Sequence, residues 1–243
     1  MDPVAFKIFG LEIMWYGIFI TSGVLIGAIL AIKQGRKVGF KENDLLDVIM
    51  IGIPSAIVGA RLYYVIFNLE YYRNNLKEVL NIRGGGLAIH GGLLAAFLAG
   101  IIFCRIRKAE FWKLADITAP SFVLAQGIGR WGNYVNQEAY GVETSLPWGI
   151  LIEGSKVHPT FLYESIWNLL VFAFLIWFRQ KKQTFDGQIF AYYLILYSFG
   201  RFWVEGLRTD SLYFANLRVA QITSVAFIVA GVMIIRAKSR TKY

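Results

Sequence analysis

Apolar residues in this 243-residue chain run in long blocks separated by short polar stretches. Seven blocks have the length and polarity of a membrane-crossing helix, about 20 residues each. They lie near 15–33, 45–67, 86–104, 114–136, 160–178, 187–206 and 219–236. None alternates with the period of two that a barrel strand requires. Only a helix lets such a block satisfy its own backbone hydrogen bonds in hydrocarbon. The fourth block is the most interrupted, with Pro120, Gly127, Gly129, Arg130 and Gly132 inside it. With no internal repeat and no low-complexity stretch, the pattern predicts an all-α membrane protein. It has seven transmembrane helices in a single domain over 1–243.

Two of the connections are longer than a turn needs. Residues 68–85 carry Tyr71, Tyr72, Leu76 and Val79 among charges, which predicts an interfacial segment. Residues 137–159 hold Pro147, Trp148 and several glycines, and predict a small ordered cap.

Loop charges orient the chain. The connections 34–44, 105–113 and 179–186 and the tail after 236, with their flanks, hold fifteen Lys and Arg, including Lys242. The opposite face holds seven, including Arg83, Arg208 and Arg218. Positive-inside bias therefore predicts the N-terminus outside and the C-terminus in the cytoplasm, with 68–85 and 137–159 on the outer side. The leading Met1-Asp2-Pro3-Val4 lacks the basic region of a cleavable signal peptide, so the first block is expected to remain as a span.

Composition agrees. The chain is 56% hydrophobic and only 17% charged, below the roughly 25% of soluble domains. The net charge of +9 is spread between apolar blocks, which fits membrane orientation and argues against nucleic acid as a partner. Cys104 is the single cysteine, which excludes an intrachain disulfide and reads as a small buried hydrophobe.

Ionisable residues inside spans are costly, about 2.5–3.5 kcal/mol each on insertion scales, and so mark candidate function. With the topology taken from loop charges, Arg61 and Arg130 each fall six residues from an outer helix end, about 9 Å deep. His90 and Glu164 fall about 6 Å deep. Arg201 and Glu205 close the sixth span, and Tyr16 opens the first. Six spans thus offer polar groups to one layer below the outer surface. Snorkelling of arginines explains one or two of these, but not the histidine and glutamate at the same depth. Asp116, at the inner end of the fourth span, is read as an interfacial helix start.

Four motifs concentrate the chemistry. The densest is Gly129-Arg130-Trp131-Gly132-Asn133-Tyr134-Val135-Asn136-Gln137-Glu138-Ala139-Tyr140-Gly141, where Arg130 and Asn133 share a helix face. A guanidinium beside two carboxamides suits a phosphodiester with glycerol hydroxyls. The second, Gly84-Gly85-Gly86 leading to His90-Gly91-Gly92, presents an imidazole able to accept a proton near neutral pH. The third runs His158-Pro159-Thr160-Phe161-Leu162-Tyr163-Glu164. The fourth, Gly200-Arg201-Phe202-Trp203-Val204-Glu205-Gly206-Leu207-Arg208, places Arg201 and Glu205 at i, i+4, a spacing that an intrahelical ion pair also explains.

The run 129–141 resembles the signature of the prolipoprotein diacylglyceryl transferases, with Tyr134 in place of the usual Phe. The other three motifs, and Trp15-Tyr16-Gly17, resemble that family's motifs in the same order, so the resemblance covers nearly the whole chain. Ala95, often Gly in the family, is expected to affect packing only. The resemblance implies a multi-pass enzyme of the bacterial plasma membrane, with its active site towards the outer leaflet. It implies transfer of diacylglyceryl from phosphatidylglycerol to the lipobox cysteine of a prolipoprotein, releasing glycerol 1-phosphate, with no metal or organic cofactor. The expected catalytic set is His90 as proton acceptor with Arg130 and Arg201 on the phosphate. Tyr16, Arg61, Asn133, Asn136, Glu138, Gly141, Glu164 and Glu205 complete the substrate-binding set.

Two rival classes are a transporter or receptor, of which a transporter calls for repeats or helices broken at mid-membrane, and an intramembrane protease, which calls for paired aspartates or Gly-x-Ser-x-Gly within spans. The sequence shows neither.

Overall fold

The computed structural model describes residues 2–82 and 85–240; Met1, Arg83 and Gly84 of the predicted outer segment, and Lys242 of the basic tail lie outside the described residues. In chain order the elements are β1 (Val4–Ile8), β2 (Leu11–Met14), α1 (Trp15–Lys37), α2 (Glu42–Phe67) and α3 (Leu69–Asn74). After a 3₁₀ turn, Leu76–Leu80, come α4 (Ile89–Arg107) and α5 (Phe111–Val135). Then follow β3 (Ile150–Ile152), β4 (Ser155–Val157), α6 (Thr160–Lys181), α7 (Gln188–Leu207), β5 (Tyr213–Phe214), β6 (Leu217–Arg218) and α8 (Val219–Arg240).

Each of the seven apolar blocks became a helix of 19 residues or more. Five of these, α1, α2, α4, α6 and α8, are long and apolar enough to cross a membrane. Of these, α1, α2 and α4 carry exposed Leu25, Ile29, Met50, Ile66 and Ile106, surfaces suited to hydrocarbon and unsuited to water. Several helices run beyond the predicted blocks. They continue through Arg36 and Lys37, through Arg105 and Arg107, through Arg179 and Lys181, and through Lys238 and Arg240. Those cations complement the negative end of the helix dipole, so the helix persists where the apolar stretch has stopped.

The chain forms two compact units, Met1–Ala31 with Ala115–Tyr243, and Ile32–Leu114. In the first, β1 and β2 form an antiparallel hairpin with Phe6 opposite Ile13 and Ile8 opposite Leu11. Phe9 and Gly10 turn it, both at positive φ (48° and 79°), the backbone of a tight two-residue hairpin loop. This hairpin is a departure from the all-helical expectation, as are the small hairpins β3–β4 and β5–β6. The β3–β4 pair lies within the predicted cap at 137–159 and orders it.

Small residues bring the helices of this unit close. A Cβ on Gly23 would stand 3.1 Å from the Ala125 backbone, and one on Gly27 would stand 3.2 Å from the Ser121 carbonyl, so α1 lies tight against α5. Trp131 Nε1 donates to Ser165 Oγ (3.2 Å) and Ser165 Oγ donates to the Gly127 carbonyl (2.9 Å), which fixes α5 on α6. Trp167 Nε1 donates to the Leu196 carbonyl (2.8 Å) and fixes α6 on α7. Ala119, Val123, Val171, Leu175, Ile189 and Tyr193 form the buried core between them.

Asp116 is more than an interfacial helix start. It is buried, and its carboxylate accepts from the backbone N–H groups of Gly187 and Phe190 (both 2.8 Å) and from Gln183 Nε2 (2.7 Å). A side chain of α5 therefore caps the first turn of α7 from outside.

In the second unit, α2 and α4 meet through small residues. A Cβ on Gly92 would stand 3.1 Å from the Ala56 carbonyl, Gly91 faces Tyr63 and Gly59, and Ala95 faces Gly59. Ala95 is thus a packing residue, as its sequence position implied. Cys104 is buried with Leu45, Phe103 and Leu114, a small hydrophobe in a core.

Candidate active site

Three helices of the first unit each deliver charge to one place. Glu164 stands in the second turn of α6, and its two oxygens are shared between helices. Oε2 lies 2.5 Å from Arg130 Nη2 on α5, and Oε1 lies 2.5 Å from Arg201 Nη1 on α7. Arg201 Nη2 is 2.5 Å from Glu205 Oε2, one helical turn on. Arg208, the residue after α7, reaches both carboxylates at longer range, 3.8 Å to Glu164 and 3.9 Å to Glu205. It also makes a bidentate pair with Asp210, Nε to Oδ1 at 2.9 Å and Nη2 to Oδ2 at 2.7 Å.

Buried charges persist only when paired, so this network has to form as a unit. Its exposure is uneven. Glu164 and Glu205 are 5% and 3% exposed, whereas Arg130 and Arg201 are 21% and 17%. The carboxylates lie behind and the guanidiniums in front, so the accessible side of the cluster is cationic and offers N–H donors. Such a face receives an anion with oxygen acceptors.

Around it the 129–141 motif folds back on itself. Arg130 Nη1 donates to Asn133 Oδ1 (3.3 Å), and Asn133 Nδ2 donates to Glu138 Oε1 (2.8 Å). Asn136 is exposed on the turn between them. Tyr16, in the first turn of α1, lays its ring over Gly132, where a Cβ would come within 2.6 Å of Cδ2. Gly141 is closely packed within the chain. Its N–H donates to the His158 carbonyl (3.0 Å), and a Cβ there would meet His158 Cβ at 2.7 Å and the Leu207 carbonyl at 3.1 Å. The close approach is made by the chain itself, and it ties the cap to the end of α7.

The cap has its own polar chain. Trp148 Nε1 donates to Tyr163 Oη (2.8 Å), and Tyr163 Oη stands 3.2 Å from His158 Nδ1. Indole N–H only donates, so Tyr163 Oη accepts from Trp148, and the direction of its bond with His158 follows the imidazole tautomer.

The structure thus gathers Tyr16, Arg130, Asn133, Glu138, Gly141, Glu164, Arg201 and Glu205 in one unit. Arg61 and His90 belong to the other. His90 is exposed, the second residue of α4, with its ring 6.4 Å from that of Tyr63. Arg61 is buried and bonded to the backbone carbonyls of Glu78, Val79, Gly85 and Gly86.

Arg208 and Arg218 were counted by sequence as outer-loop charges, yet both join the site; Arg218 Nη1 donates to the Glu205 carbonyl. The spacing 201, 205, 208 marks one helical face and was the available signal for Arg208. Burial opposes the Arg208 charge, but the Asp210 hydrogen bonds and the Glu164 and Glu205 carboxylates outweigh it and raise its pKa. The same hydrogen bonds hold the Asp210 carboxyl below the usual range.

Comparison with known proteins is consistent along the length of the chain. The family model described as Prolipoprotein diacylglyceryl transferase matches residues 3–237. Curated proteins named phosphatidylglycerol–prolipoprotein diacylglyceryl transferase are similar throughout. The one from Finegoldia magna is 53% identical, over 96% of this chain and 94% of its own. That from Clostridioides difficile is 51% identical over the same shares, and that from Bacillus cereus strain G9842 is 48% identical over 97% and 91%. A match of this extent, on a chain whose signature motif contributes Arg130 to the charged cluster, places the protein in the prolipoprotein diacylglyceryl transferase family.

Proposed function

We propose that this enzyme transfers the diacylglyceryl group of phosphatidylglycerol to the thiol of the lipobox cysteine of prolipoproteins, the first step of bacterial lipoprotein maturation. The observation that carries the reading is the cationic face made by Arg130 and Arg201 around the hidden Glu164. In the reaction a sulfur–carbon bond forms at the glycerol carbon of the lipid. The carbon–oxygen bond to phosphate breaks, and glycerol 1-phosphate leaves. Charge grows on the departing phosphate, where preorganised cations act most strongly.

Arg130 and Arg201 hold that phosphate, and Glu164 fixes the angle between them. Asn133, Asn136 and Glu138 position the glycerol headgroup, Tyr16 closes over it, and Glu205 braces Arg201. Gly141 keeps the cap against the end of α7. His90 takes the thiol proton, a role supported by the chemistry of its imidazole. The acceptor cysteine is supplied by the substrate, so Cys104 stays a core residue.

All seven long helices cross the plasma membrane in this reading, with the N-terminus outside, the C-terminus in the cytoplasm and the site towards the outer leaflet. The excess of Lys and Arg on alternate connections supports that orientation. The deciding experiment incubates purified protein with phosphatidylglycerol and a lipobox peptide. Mass spectrometry is expected to find a diacylglyceryl adduct on the peptide cysteine. A folded sample that yields none overturns the proposal.

A further inference from the structure

Arg61 is an arginine inside an apolar helix, 7% exposed, and the cost of placing it there calls for a return. Its partners are backbone carbonyls. Nε donates to Val79 (2.9 Å), Nη1 to Gly85 (2.8 Å) and Gly86 (2.9 Å), and Nη2 to Glu78 (2.5 Å). Four of the five N–H donors of the guanidinium are therefore committed. Its flat face also lies 5.2 Å from the ring centroid of buried Tyr72, which packs edge-on against Tyr64.

The carbonyls come from two stretches, 78–79 and 85–86, which a single side chain holds against α2. Gly85 and Gly86 both take positive φ (87° and 72°), and this turns their carbonyls to one nitrogen. A Cβ on Gly86 would in addition collide with Arg61 Nη1 and press on the Tyr64 ring. Two residues beyond Gly86 the Ala88 N–H donates to the Ala60 carbonyl (3.0 Å), next to Arg61 on α2, and α4 starts at Ile89 with His90 second. Arg61 and Ala60 together fix the backbone leading into that first turn.

We propose that Arg61 is a positioning residue. It holds residues 78–79 and 85–86 against α2 and so sets the first turn of α4, where His90 stands; it does not contact the lipid phosphate. The link to His90 chemistry rests on the proton-acceptor role proposed above, while the holding of the segment does not.

The test compares Arg61→Lys and Gly86→Ala with the unaltered enzyme, by amide hydrogen exchange without substrate and by steady-state kinetics. Lysine keeps the charge but loses the fork that reaches four carbonyls. Alanine disturbs the same contact from its other side, with Arg61 intact. In both variants exchange of the 76–92 amides is expected to rise about tenfold or more, with α6 amides unchanged. The kcat is expected to fall about tenfold, with KM for phosphatidylglycerol within about twofold. Unchanged exchange over 76–92, or a raised KM with kcat preserved, overturns the assignment. His90→Gln measured in parallel separates the two ideas. If that variant keeps full activity the proton-acceptor role fails, and the exchange data alone still decide whether Arg61 holds the segment. Should Arg61→Lys also expose α6, Gly86→Ala decides.

Discussion

Arg130 reaches from one helix to the next and sets its Nη2 2.5 Å from Oε2 of Glu164. The carboxylate it meets is among the most hidden groups of the site, and its other oxygen is already engaged by Arg201. Neutralising it leaves Arg130 without a carboxylate beside Arg201, which keeps only Glu205. Glu164→Gln, which keeps the shape, is expected to cost about 3–5 kcal/mol of stability. A lower midpoint of thermal unfolding in detergent and a loss of transferase activity together check this. A variant as stable and active as the parent refutes the bracing role.

The arginines themselves are expected to act on the transition state. Arg130→Ala and Arg201→Ala each lower kcat/KM about 10²–10³-fold, the range for losing one oxyanion-directed donor. Arg130→Lys recovers little, because an ammonium cannot hold Glu164 and Asn133 in one plane. Near-normal turnover by Arg130→Ala would remove it from the phosphate.

His90 is checked by its pH signature. If its imidazole accepts the thiol proton, His90→Gln abolishes the acidic limb of the kcat/KM profile. A profile unchanged in shape assigns the proton elsewhere.

Asp116 lies at the opposite end of α5 from Arg130, and its replacement separates stability from chemistry. In Asp116→Asn one oxygen becomes an amide that faces the N–H donors of Gly187 or Phe190. A cost of about 1–3 kcal/mol is expected, seen as an earlier unfolding midpoint with KM for the lipid unchanged.

The Arg208–Asp210 pair carries a pH dependence of known sign. Asp210 is held below the usual carboxylate range in the folded chain, first by its Arg208 hydrogen bonds. Its contribution is therefore complete above the unfolded carboxylate value of about 4 and is lost as pH falls through the lower folded value. Hydrogen exchange of residues 208–218 should be steady down to about pH 4, after correction for intrinsic rates, and rise below it. Asp210→Asn should remove that rise.

Much of this was legible before the fold was known, for a definite reason. Hydropathy locates a helix because lipid exposes the whole apolar block, so Trp15, Thr160 and Val219 were placed at the helix starts where they stand. Helix ends were less legible, since Lys37 and Lys181 are polar yet helical. The β1–β2 hairpin was hidden because its turn is Phe9-Gly10, without the Asn or Asp that usually announces one. Within the site, Arg130, Glu164 and Arg201 could be proposed from depth alone, and they converge. Depth could not show what an arginine touches. Arg61 has carbonyl partners 17 to 25 residues away, and the Asp116 carboxylate has partners 67 to 74 residues away. Those distances are set by how the chain returns, which no local pattern records.

In the proposed reaction, the pairing of Arg130, Arg201 and Arg208 with carboxylates also bears on turnover. A bare cationic pocket would hold a phosphate monoester tightly after the reaction, and release would then limit the rate. Here Arg130, Arg201 and Arg208 each have a resident carboxylate to return to, so the departing anion competes with Glu164, Glu205 and Asp210 for the same donors. On the proposed reading, the cluster that gathers charge as the bond breaks is also equipped to let the product go.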